Sequence, residues 1–102
     1  GPSLFCFALA IPGTVEPRLL AAQRAARTGI FECDEWAIYS NASLGGLNTV
    51  LVRGPLRARV GGVYMSSMNA GVFVRIWRRV FAEGRFRRHA WIVKVDPDSG
   101  KH

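Results

Sequence analysis

Asp96-Pro97-Asp98 is the sharpest chemical feature of this sequence. Residues two apart in an extended chain point to the same side. Two carboxylates so placed can share one divalent cation, or one can hold the metal and the other a sugar hydroxyl. Mg²⁺ and Mn²⁺ prefer hard oxygen ligands of this kind. A cation held there would bridge to phosphate oxygens and neutralise a diphosphate leaving group. Pro97 lacks an N–H and discourages continued strand pairing. A polar turn after a strand is the ordinary reading of Asp-x-Asp, so its context has to decide.

Other side chains with chemical capacity are scattered. Asp34 and Glu35 are adjacent carboxylates that could act as acid and base, though pairing with nearby Arg is the plainer expectation. His89 stands beside Arg87 and Arg88 and reads as a surface histidine, and His102 is no better placed as a base. Asn41-Ala42-Ser43 is a glycosylation acceptor pattern.

The elements that must position these groups follow from the apolar pattern. Leu4 to Ile11 is a continuous apolar run, as expected for a strand buried on both faces of a parallel sheet. Pro12-Gly13 ends it, and Glu16-Pro17 opens a helix that Gly29 should stop. Trp36 to Tyr39 reads as a second strand that turns at Ser40, Asn41 and Ser43, and Thr49 to Val52 as a third. Leu56 to Ser67, with Gly61 and Gly62, reads as a loop with room for a short strand. Asn69 is a helix N-cap candidate. Phe73, Ile76, Trp77, Val80 and Phe81 then repeat at helical spacing and predict a core-facing stripe that ends before Gly84. Trp91 to Val95 is a last strand that runs straight into Asp96. This order predicts one α/β domain over residues 1–102, with a mainly parallel sheet of about four strands and two main helices. Cys6 and Cys33 then fall near the amino-terminal edge of the sheet. They would form a disulfide in an oxidising lumen or stay as two buried thiols, and both readings stand.

Composition narrows the function classes. At 49% apolar residues the chain can build a packed core, which excludes disorder. No apolar run approaches the roughly 20 residues of a membrane span, and no basic stretch precedes the first strand as in a signal peptide. Two Cys exclude a disulfide-rich mini-protein and a four-cysteine zinc site. The net charge is +7, with twelve Arg against two Lys. Arg makes forked contacts to phosphate, so nucleic acid, an anionic membrane or a phosphorylated small molecule would suit this balance. The tightest clusters are Arg75, Arg78 and Arg79, then Arg85, Arg87 and Arg88.

Three segments together resemble the nucleotide-binding half of a GT-A glycosyltransferase of the hexosyltransferase or fringe-like kind. They are Ser3 to Pro12 followed by Glu16 to Leu20, then Gly29 to Asn41, and above all Phe73 to Asp98 with its closing Lys-Val-Asp-Pro-Asp. The resemblance implies a partial Rossmann-like layer and transfer of a sugar from a nucleotide diphosphate donor. It implies Mn²⁺ or Mg²⁺ at Asp96 and Asp98, with Ser40 and Asn41 beside the nucleotide and Ala10 to Gly13 near the base or ribose. It also implies the Golgi lumen of the secretory pathway. The family continues past the metal motif to its acceptor site and catalytic base, whereas here Ser99-Gly-Lys-His102 follows. The expectation is therefore a fragment that binds donor without the acceptor and catalytic-base half that activity needs. Two alternatives compete with it. One is a small basic module that binds nucleic acid through its Arg clusters. The other is an inactive remnant whose uncovered sheet edge drives self-association.

Overall fold

The computed structural model describes residues 2–54, 58–60, 63–65 and 70–97. Its elements are β1 (Leu4–Leu9), α1 (Glu16–Ala26), a 3-10 turn (Gly29–Glu32), β2 (Glu35–Ser40), β3 (Val50–Leu51), β4 (Ala58–Val60), β5 (Val63–Met65), α2 (Ala70–Glu83), a second 3-10 turn (Arg85–Arg88) and β6 (Trp91–Lys94). Four strands form one sheet in the order β3-β2-β1-β6, all parallel. This is the expected α/β, Rossmann-like layer. β4 and β5 form a separate antiparallel pair, with Arg59 opposite Tyr64, where the sequence suggested a loop and at most one short strand. The expected N-cap Asn69 lies outside the described residues.

β1 explains its own apolar run. It lies between β2 and β6, so both its edges are paired, and each of its faces meets a helix. Phe5, Phe7, Leu9 and Ile11 point to the α2 side and pack with Ala37, Tyr39, Ile76 and Val80. Cys6, Ala8 and Ala10 point to the α1 side and pack with Leu20, Ile30, Ile38 and Leu47. The large side chains face α2 and the small ones let α1 approach closely. Tyr39 links sheet to helix through its hydroxyl, which donates to Glu83 Oε1 at 2.6 Å. Burial, with the Glu83 carboxylate beside it, pushes the Tyr39 phenol well above its ordinary value.

Two details of the helices depart from expectation. α1 stops at Ala26, because Arg27 takes the left-handed conformation at φ 56° and its N–H closes on Arg24 O. Thr28 N–H closes on Gln23 O at 2.9 Å, completing a Schellman cap. Glycine suits that position, so Arg27→Gly should raise stability by about 0.5–1 kcal/mol, read as a higher urea midpoint. An unchanged midpoint would contradict this account of the cap. In α2, Ile76 and Val80 are buried, but Phe81 is 49% exposed and stacks on Trp77 instead of entering the sheet core. The stripe that reaches the core is narrower than its apolar periodicity suggested.

β6 forms one edge of the sheet. Trp91 and Val93 lie level with Leu4 and Cys6, hence on the α1 face, but α1 does not extend over them. Trp91 is accordingly 61% exposed.

Candidate functional site

In a parallel sheet the carboxyl ends of all strands lie along one side. The chain leaves β1 toward β2 and returns through α2 to β6 on the opposite flank of β1. The strand order therefore switches between β1 and β6, and ligands of open α/β sheets bind in the crevice outside that point. Asp96 lies two residues beyond β6, after Val95, whose N–H still donates to the Phe7 carbonyl of β1, and so emerges beside the end of β1. Its side chain is 63% exposed, and Lys94 Nζ pairs with its Oδ1. Asp98, the second carboxylate of the motif, lies outside the described residues. Among the described residues no three His, Cys, Asp or Glu side chains converge as metal ligands. One exposed carboxylate still fits Mg²⁺ or Mn²⁺, which commonly take one or two protein carboxylates and complete their shell with water and phosphate.

The β1 end of the crevice is made by the loop into α1. Ile11 N–H donates to Glu16 Oε1 at 3.0 Å, and Glu16 N–H donates to Thr14 Oγ1 at 3.2 Å. Gly13 sits at φ 81° in this turn. The positive end of α1 is thus already met by the Glu16 carboxylate, which would repel a phosphate placed against the helix.

Ser40 ends β2 and Asn41 follows it, two strands from Asp96, or roughly 10 Å at ordinary strand spacing. Ser40 is completely buried; its Oγ accepts the Ala42 N–H at 3.3 Å and its carbonyl accepts the Val52 N–H. Asn41 is exposed and its side-chain amide donates to Gly54 O at 3.1 Å. Ser40 shapes the turn from beneath, while Asn41 presents its side chain at the surface.

A second charged constellation lies at the opposite end of the sheet. Glu35 begins β2 and takes three partners from the segment before β6. Arg85 Nε lies 2.6 Å away, Arg88 Nη2 2.9 Å and His89 Nε2 2.8 Å. Arg85 also donates to the Trp36 carbonyl at 3.2 Å, reaching the stretch of β2 that short β3 leaves unpaired. Burial pushes the Glu35 carboxyl up. The hydrogen bonds from His89 and Arg85 and the charges of Arg85 and Arg88 outweigh that and hold it below its ordinary value. The expected surface role of His89 is corrected here: only 12% of its side chain is exposed, and the ring stacks on Phe5. A cleft of about 320 Å³ adjoins this cluster, lined by Asp34, Glu35, Trp36, Ala37, Asn48 and Arg85. Its carboxylates are spent within the protein, Asp34 on the Leu4 N–H and Glu35 on the cations. Two Arg of the second basic cluster, Arg85 and Arg88, are therefore committed to Glu35, and the third, Arg87, lies over the Phe86 ring.

Cys6 and Cys33 form a disulfide, with Cα atoms 6.1 Å apart. It settles the alternative left open by the sequence and joins the middle of β1 to the residue after the first 3-10 turn. Among the described residues no helix is long and apolar enough to cross a membrane. No protein-family model, curated protein or solved structure matches this chain.

Proposed function

We propose that this chain binds a nucleotide-diphosphate sugar together with Mn²⁺ or Mg²⁺, as the donor-binding domain of a GT-A-like hexosyl transfer. The observation that carries this reading is the position of Asp96, at the carboxyl end of β6 beside the strand-order switch. Asp96 and Asp98 would hold the cation, and Lys94 would give up its hold on Asp96 as the cation arrives. The bound cation would neutralise charge on the diphosphate. Asn41 would face the nucleotide across the end of β1, with Ser40 holding its turn. The Cys6–Cys33 disulfide supports a chain that matures in an oxidising lumen. The commitment of Arg85 and Arg88 to Glu35 weakens the competing reading of a nucleic-acid module.

Calorimetric titration with UDP, with and without Mn²⁺, tests the proposal. Binding should require the metal and should be lost in Asp96→Ala and in Asp98→Ala. A folded protein that binds no UDP with Mn²⁺, or whose binding ignores both substitutions, would refute it.

A further inference from the structure

The segment of Asp96 and Pro97 does not hang from β6 alone. Gln23 of α1 donates from Nε2 to the Pro97 carbonyl at 2.7 Å, across 74 residues of sequence. Pro97 is buried although Asp96 beside it is exposed, and Val95 before them packs against the α1-side core. The chain after β6 is thus drawn onto α1.

Gln23 is itself held in place. Its carbonyl accepts the Thr28 N–H in the α1 cap, so its backbone is fixed where the helix ends. Its side chain passes Gly29, where a Cβ would stand 2.6 Å from Oε1 and 3.1 Å from Cδ. Gly29, at φ 63°, therefore leaves the passage through which the amide reaches Pro97.

We infer that Gln23 is a positioning residue for the Asp96/Asp98 pair, resting on the donor-binding reading above. It grips the carbonyl of Pro97, directly after Asp96, and so sets the direction in which Asp96 leaves the sheet. Mg²⁺ tolerates little error in ligand geometry, and loss of a group that orients a metal ligand typically weakens binding about tenfold to a hundredfold.

The test compares wild type with Gln23→Met, which keeps the length of the side chain but loses the donor. Mn²⁺–UDP affinity is read by calorimetry, the motion of the Asp96 and Asp98 amides by nitrogen-15 relaxation on the ligand-free protein, and stability by urea. The expected result is at least about tenfold weaker binding. Asp96 and Asp98 should become more mobile while Val93 does not, and the urea midpoint should move little. Should Gln23→Met fold poorly, Gln23→Asn keeps the amide but cannot span to Pro97, and the same loss is expected. Equal affinity in wild type and variant, or unchanged motion at Asp96 and Asp98, overturns the positioning role alone. Wild type that binds no Mn²⁺–UDP overturns the donor-binding reading and this role with it.

Discussion

Replacing Cys6 and Cys33 together by Ala lowers stability by about 3–4 kcal/mol. The two residues are separated by 27 positions, and closing a loop of that size removes chain entropy from the unfolded state by roughly this amount. The closed loop is not arbitrary. It contains α1 and the first 3-10 turn and ends just before β2, so the crosslink joins the two ends of a β-α-β crossover. Urea unfolding of wild type and the double variant measures the loss. Dithiothreitol should weaken wild type to about the same degree and leave the variant unchanged. A loss below about 1 kcal/mol would mean that the unfolded chain already keeps these segments together. The crosslink lies away from the carboxyl ends of the strands, so on the proposed donor-binding reading variant protein that still folds should bind Mn²⁺–UDP as wild type does.

Glu35→Gln has the next largest effect, a loss of about 2 kcal/mol. The change removes the negative charge facing Arg85, Arg88 and His89 and leaves one acceptor oxygen where there were two; the His89 side chain is only 12% exposed and that of Arg85 34%. Arg88 is 68% exposed and regains water, so its share is small. The same carboxylate gives the protein a pH dependence of known sign. The Glu35 carboxyl is held below its ordinary value of 4.5 in the folded state. Its contribution is therefore fully present above that value, and is lost as pH falls through the lower folded value. Wild type should lose stability below pH 4.5 more steeply than Glu35→Gln. Parallel urea curves at falling pH would check this, and identical acid profiles would contradict the assignment.

What could be read from the sequence was set by local chemistry. The Leu4 to Ile11 run announced a strand enclosed on both faces, because only such a strand needs apolar residues at every position. The alternation of elements announced the parallel sheet. Asp96 could be placed at a strand end because Pro97 marks where pairing must stop. Pairing of Glu35 with Arg was the expectation and holds, but its particular partners could not be read in this way. Its partners lie 50 or more residues away and meet it only because β1 separates β2 from the segment before β6. Neither could the Gln23 contact with Pro97, since a glutamine on a helix carries no sign of what its amide will reach. Phe81 fits the helical period, but periodicity does not report how wide a stripe the sheet covers. Arg27 in the left-handed region was invisible, because no residue preference favours it there.

The central position of β1 has a consequence for how the molecule assembles. β1 pairs with β2, whose residues follow within about thirty positions, and with β6, which follows by more than eighty. On a ribosome the first partner emerges long before the second. The β1–α1–β2 unit can therefore dock early, and Cys6 can meet Cys33 while β6 is still being made. Until Trp91 to Lys94 arrive, one edge of the most apolar strand stays open to any other strand nearby. Closing that edge is a contact of high sequence separation, which loop-closure entropy makes slower to form than the β1–β2 pairing. Early oxidation would hold the half-built sheet together through this interval, when its exposed backbone is most prone to mispair.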